Sequence, residues 1–172
     1  MSPCLTCSSE MLCFTCRSTF TFLASNYSCL TNCPVGYVSV NQSCTVCSSN
    51  CLTCLTVTFC SSCHNGSYIL NGNCYNPCPS TYFGNYLTMK CESCHFSCSV
   101  CTSFTFCSVC RSGYYMQANN TCISLCLTNQ IPINGNCQNC NSKCSVCQVS
   151  IDNCTACSSG YIYASTLNMC YL

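Results

Sequence analysis

The chain has no tryptophan and almost no charge. Among its 172 residues, Arg17, Lys90, Arg111 and Lys143 face only Glu10, Glu92 and Asp152. Four scattered cations make no basic patch, which excludes nucleic-acid binding, where affinity grows with the number of phosphates neutralised. Three scattered carboxylates exclude a dedicated calcium site, which needs a cluster of oxygen ligands. They also leave hydrolytic chemistry poorly supplied, so His64 and His95 are read as surface or packing residues rather than catalytic bases. No run of about 18 apolar residues occurs, so no segment reads as a membrane-spanning helix. Met1 is not followed by a basic segment and an apolar core, so no secretory signal is visible. The expectation is an internal piece of a longer secreted chain.

What the chain has is cysteine, 29 residues of it, far above the level that marks a disulfide scaffold. The cysteines recur in register. Cys44, Cys47, Cys51, Cys54, Cys60, Cys63, Cys74 and Cys78 read C-x2-C-x3-C-x2-C-x5-C-x2-C-x10-C-x3-C. The same eight slots return as Cys91, Cys94, Cys98, Cys101, Cys107, Cys110, Cys122 and Cys126. They return again, one slot short, as Cys137, Cys140, Cys144, Cys147, Cys154, Cys157 and Cys170. Ahead of them, Cys4, Cys7, Cys13, Cys16, Cys29 and Cys33 fill slots three to eight. A period of roughly 46 residues signals an array of like units. The repeats therefore run 1–43 (slots three to eight), 44–90, 91–136 and 137–172 (slots one to seven). Both end repeats look cut from a longer array.

Cysteine supplies much of the 49% apolar content, and what remains is thin for an ordinary core. Each disulfide closing a loop of about ten residues offsets roughly 2–3 kcal/mol of chain entropy, so cross-links rather than burial alone are expected to hold the shape. Such a density of cross-links implies an oxidising, extracellular compartment. Asn26, Asn41, Asn65, Asn119 and Asn153 each begin an N-x-[ST] triplet, the acceptor for N-linked glycans. Asn153 is the weakest acceptor, because Cys154 follows it. With so few charges, solubility calls for glycans or for burial against neighbouring molecules.

Each repeat has two halves. In the dense cluster, such as Cys47 to Cys63, neither helix nor strand periodicity survives. The longer spacers that follow read as hairpins, with Asn71-Gly72 and Asn134-Gly135 as two-residue turn signals. Aromatics recur a few residues after the sixth slot (Tyr68, Tyr114 with Tyr115, Tyr161 with Tyr163) and after the eighth (Tyr37, Tyr82). Each ring is expected to lie over a disulfide as a miniature core with its hydroxyl at the surface.

The slot pattern, with Cys94-His95-Phe96-Ser97-Cys98, Cys33-Pro34-Val35-Gly36-Tyr37 and Cys78-Pro79, resembles the furin-like cysteine-rich repeat. That repeat occurs in the cysteine-rich domains of the epidermal growth factor and insulin receptors and in the tails of some proprotein convertases. The low charge and the wealth of Asn, Ser and Thr also resemble cysteine-rich surface proteins of ciliates and other protists. The diplomonad variant surface proteins share the CxxC habit.

Spacing alone leaves the disulfide connectivity open. The resemblance implies slot two to four, three to five, six to seven, and eight to the first slot of the next repeat. It thereby implies Cys4–Cys13, Cys16–Cys29, Cys33–Cys44, Cys47–Cys54, Cys51–Cys60, Cys63–Cys74 and Cys78–Cys91. It further implies Cys94–Cys101, Cys98–Cys107, Cys110–Cys122, Cys126–Cys137, Cys140–Cys147, Cys144–Cys154 and Cys157–Cys170. Cys7 is left over, its slot-two partner falling just before Met1. The alternative is a bond from Cys7 to another chain.

Paired CxxC motifs are also a zinc signature. The regular seventh and eighth slots, the triplets and the scarce charge favour cross-linking instead. Eleven CxxC pairs with no recognisable redox fold around them argue for structure over thiol chemistry. The expected fold is therefore a small disulfide-rich one, an elongated rod of tandem units with short β-hairpins and little helix. The expected function is an extracellular structural or spacer segment of a cell-surface or fibre-forming glycoprotein. It would be no enzyme, would carry no cofactor beyond glycans, and would have copies of itself or fibre neighbours as partners. The alternative is a receptor-like ectodomain that binds a protein ligand. Uniform short spacers favour the first.

Overall fold

The computed structural model describes residues 3–9 and 12–172; Glu10 lies outside them. The described residues contain short β-strands and no helix. By its internal contacts the chain divides into two units. One comprises Met1–Pro79 with Gly84–Cys91, and the other Ser80–Phe83 with Glu92–Leu172.

The strands follow the cysteine register. The first repeat forms β1 (Cys4–Ser9), β2 (Leu12–Cys16), β3 (Thr21–Leu23), β4 (Ser28–Leu30), β5 (Tyr37–Val40) and β6 (Ser43–Val46). The second forms β7 (Cys51–Thr56), β8 (Phe59–Cys63), β9 (Tyr68–Leu70), β10 (Asn73–Tyr75), β11 (Tyr82–Asn85) and β12 (Lys90–Ser93). The third forms β13 (Cys98–Cys101), β14 (Cys107–Cys110), β15 (Tyr115–Met116), β16 (Cys122–Ile123), β17 (Gln130–Ile133) and β18 (Asn136–Asn139). The last forms β19 (Cys144–Cys147), β20 (Cys154–Cys157), β21 (Ile162–Ala164) and β22 (Met169–Tyr171). Each complete set is thus three hairpins, and the third spans the repeat boundary, because β6, β12 and β18 carry Cys44, Cys91 and Cys137, the first cysteines of the repeats that follow. The first hairpin is a two-stranded sheet. The second and third join into a four-stranded sheet, ordered β4-β3-β6-β5, β10-β9-β12-β11 and β16-β15-β18-β17.

The first hairpin departs from the sequence reading, which places hairpins only in the longer spacers. Two cysteines three residues apart on a regular strand would face opposite sides, because strand side chains alternate. In β7–β8 the register runs Cys51↔Cys63, Thr53↔Ser62 and Cys54↔Cys60, with a shift at each step. In β13–β14 it runs Cys98↔Cys110, Val100↔Val109 and Cys101↔Cys107, again with shifts. A bulge absorbs one residue and resets the alternation, so both cysteines of a C-x2-C turn inward. Cys98, Cys101 and Cys107 are all buried. The strand is real but its period is broken, which is why periodicity does not reveal it.

Backbone carbonyls then tie the hairpins of a repeat together. The fifth-slot cysteine always donates its N–H to the tip of the second hairpin. Cys13 reaches Tyr27 O at 2.8 Å, Cys60 reaches Gly72 O at 2.7 Å, Cys107 reaches Asn120 O at 2.7 Å and Cys154 reaches Asn168 O at 2.7 Å. All four acceptors have left-handed backbones, with φ of 53°, 76°, 62° and 50°. The left-handed turn directs that carbonyl away from its own ladder and leaves it free to accept. The tip of the third hairpin does the same for the second. Phe22 N–H donates to Gln42 O at 2.8 Å, Ile69 N–H to Met89 O at 3.0 Å and Met116 N–H to Gly135 O at 2.9 Å. These bonds set the parallel bridges β3–β6, β9–β12 and β15–β18. Asn71-Gly72 and Asn134-Gly135 adopt positive φ at both positions, as a hairpin turn of the twisted kind requires.

The buried apolar side chains among the described residues are cysteines, apart from Leu23 and Ile131. Tyr114, with Phe83 and Met116, packs on the cluster of Cys94, Cys98, Cys101, Cys107 and Cys122. Tyr161 packs on the cluster of Cys144, Cys147, Cys154 and Cys170. Tyr68 behaves differently: its ring fills the space over Gly84, where a Cβ would come within 2.3 Å of it. Ile69 takes the place against Cys47, Cys51 and Cys60.

Candidate interaction surface

The sulfurs come together in fourteen pairs. In the first two repeats these are Cys4–Cys13, Cys16–Cys29, Cys33–Cys44, Cys47–Cys54, Cys51–Cys60, Cys63–Cys74 and Cys78–Cys91. In the last two they are Cys94–Cys101, Cys98–Cys107, Cys110–Cys122, Cys126–Cys137, Cys140–Cys147, Cys144–Cys154 and Cys157–Cys170. These are the pairs the family resemblance implies. Their Cα separations run from 5.2 Å at Cys144–Cys154 to 5.8 Å at Cys47–Cys54, the span a disulfide bridges without moving the backbone. Cys7 stands exposed outside every pair.

The bulge decides the pairing pattern. Cys54 faces Cys60 across β7–β8 but bonds Cys47, while Cys51 bonds Cys60 along the diagonal. The two loops interlock, and the seventh-slot sulfur meets the second of them. Cys51, Cys60 and Cys74 have sulfurs within 4.8 Å of one another, as do Cys98, Cys107 and Cys122, and Cys4, Cys13 and Cys29. Zinc binds thiolate sulfur; in each triad the sulfurs are bonded in disulfides and offer none.

The histidines differ. His64 is exposed. His95 hydrogen-bonds through Nδ1 to Ser97 Oγ at 2.7 Å, and Ser97 is 1% exposed. The pair braces the turn into β13, with Cys98 N–H donating to His95 O at 2.9 Å. Around it the aromatics gather: Phe96 lies 4.1 Å from the His95 ring, Phe104 meets it edge-on at 5.6 Å, and Phe96 meets Tyr114 at 6.0 Å. Beside them a cleft of about 240 Å³ is lined by His95, Ser97, Thr105, Cys107, Thr121 and Cys122. Asp152 is engaged elsewhere, accepting from Asn141 Nδ2 at 2.7 Å.

A feature the sequence reading passes over is the tip of the first hairpin. Leu55 and Phe59, Phe104 and Phe106, and Val149 are exposed there, Val149 at 93%. The spacer between the fourth and fifth slots shows it as Leu-Thr-Val-Thr-Phe at 55–59 and Thr-Ser-Phe-Thr-Phe at 102–106. Residues 102–106 form the loop between β13 and β14, and 57–58 the turn between β7 and β8. Asn26, Asn41, Asn65 and Asn119 are exposed, and Asn153 is half-buried.

No curated protein is similar to the chain. The model of the furin-like, cysteine-rich repeat matches residues 1–91, and many disulfides in such a repeat are typical of extracellular proteins. Register, hairpins and cross-links agree with that match over more than half the length, and the chain belongs to the furin-like cysteine-rich repeat family.

Proposed function

We propose that the chain is a non-enzymatic structural or spacer segment of an extracellular cell-surface or fibre-forming glycoprotein, with units 1–43, 44–90, 91–136 and 137–172. The observation that carries this reading is the recurrence of one bonding scheme: the same tip-to-cysteine hydrogen bond holds in all four repeats. A unit stabilised by its own short-range bonds can be added to an array without redesign. The sparsely charged surface with its exposed hairpin tips suits packing against further copies or fibre neighbours, and the units need no cofactor.

A receptor-like ectodomain is the second reading. The aromatic group around His95 beside its cleft supports it, as a protein ligand favours such anchors. Electron microscopy of native, non-reduced material separates the two. Continuous filaments with a repeat of a few units are expected. Isolated flexible stalks on membrane would sink the fibre reading and direct the search to a ligand.

A further inference from the structure

We propose that N-linked glycans attach selectively at Asn119 and Asn26, and that Asn65 and Asn153 stay bare. This rests on the extracellular reading, since only secretion brings the triplets to a glycosyl transferase. In the transfer, asparagine Nδ2 attacks the anomeric carbon of a lipid-pyrophosphate-linked oligosaccharide. The carbon–nitrogen bond forms as the anomeric carbon–oxygen bond breaks. The electron pair leaves on the lipid pyrophosphate, and one Nδ2 proton passes to a base of the transferase. The product folds only where Nδ2 faces solvent.

At Asn119 the orientation is fixed. Thr121 Oγ1 donates to Asn119 Oδ1 at 2.7 Å, and the Thr121 backbone N–H donates to the same oxygen at 3.2 Å. A backbone N–H can only donate, so the oxygen end of the amide faces the turn and Nδ2 is the outward end. At Asn26 the Ser28 hydroxyl donates to Oδ1 at 2.6 Å, the side-chain half of the Asn119 arrangement. Both asparagines are exposed, and both occupy the tip of a second hairpin. The middle residue of each triplet, Asn120 or Tyr27, gives its carbonyl to the fifth-slot cysteine. The cross-linked core therefore holds the acceptor turn in place.

The other triplets lack this arrangement. Ser67, the hydroxyl of the Asn65 triplet, is 6% exposed. Asn153 is half-buried and precedes Cys154, a buried member of the Cys144–Cys154 bond. A sugar there would stand against the packed disulfides. Asn41 is exposed at the tip of the third hairpin, but Ser43 lies in β6 opposite Val40, so Asn41 ranks between the two groups.

The test is glycopeptide mapping of the full chain secreted from a eukaryotic host, with enzymatic release of the glycans in heavy-oxygen water to mark each occupied asparagine. Occupancy at Asn119 and Asn26 several-fold above that at Asn65 and Asn153 is expected. Occupancy at Asn65 or Asn153 equal to that at Asn119 would overturn the inference. So would a secreted, fully cross-linked chain with no glycan at all, which would leave the extracellular reading intact. Retention inside the cell with free thiols, read by alkylation, would overturn both. Thr121→Ser is expected to keep the glycan at Asn119 and Thr121→Ala to lose it, with Asn119→Gln giving the same loss if Thr121→Ala fails to fold.

Discussion

In the third repeat the first hairpin (β13–β14) and the third (β17–β18) each pair two strands of four residues, yet different physics holds them. The first has a cysteine at each strand end, shifts at every step, and buried sulfur on its inner face. Chain entropy is removed by covalent bonds, and the turn between is free to carry exposed Phe104 and Phe106. The third runs in unbroken register from Gln130↔Asn139 to Ile133↔Asn136 and closes with the Asn134-Gly135 turn. Its Pro132, which lacks a ladder donor, is tolerated because β17 is an edge strand. The lesson is that disulfides permit an irregular, apolar-tipped hairpin, whereas the hairpin of long spacers depends on turn chemistry.

Breaking cross-links in the two places separates burial from loop closure. Cys98–Cys107 and Cys126–Cys137 close loops of similar length, with sequence separations of 9 and 11, so the unfolded chain is constrained about equally. Replacing Cys98 and Cys107 together by alanine should cost about 3–5 kcal/mol, because a buried pair is lost as well as a constraint. The same double replacement at Cys126 and Cys137, which are only partly buried, should cost about 2–3 kcal/mol. Denaturant unfolding at constant oxidant measures both.

The turn tips sharpen the contrast at a smaller scale. Gly72 and Gly135 both have positive φ, but a Cβ on Gly72 would sit 2.4 Å from the Phe59 ring, whereas nothing lies within 4 Å of one on Gly135. Gly72→Ala should destabilise by about 2–3 kcal/mol through strain plus collision, and Gly135→Ala by about 1 kcal/mol through strain alone. Thermal unfolding of the two variants checks the order. Smaller still is Arg111→Ala, which removes the 3.0 Å bond from Arg111 Nε to Cys98 O and should cost about 1 kcal/mol. Gln130→Ala, at the edge of the third hairpin, loses the 2.8 Å bond to Asn139 Oδ1 and the 3.0 Å bond accepted from Gln117 Nε2; both join partners near solvent, and the cost should stay below about 1 kcal/mol.

Much of this was legible in the residues. The repeat register, the fold class and the Asn-Gly turns follow from spacing and composition, since cysteine position and positive φ are strong local constraints. The pairing of Cys51 with Cys60, rather than with the facing Cys63, was legible only through the family resemblance, because spacing carries no cross-strand information. The bulges were not legible, since an absorbed residue erases the period that would betray the strand. Nor were the tip carbonyls of Tyr27, Gly72, Asn120 and Asn168: three different residue types do one backbone job. Tyr68 shows the opposite limit, a recurring aromatic whose neighbour is Gly84 instead of a disulfide.

The central claim is that interlocked, short-range disulfides build each repeat. Peptic digestion of the unreduced protein at low pH, where exchange is slow, followed by fragmentation mass spectrometry, tests it most directly. Cys47–Cys54 with Cys51–Cys60, the corresponding pairs in the other repeats, and a free Cys7 are the predicted result. Bonds within the C-x2-C pairs, bonds between distant repeats, or free thiols throughout would contradict it.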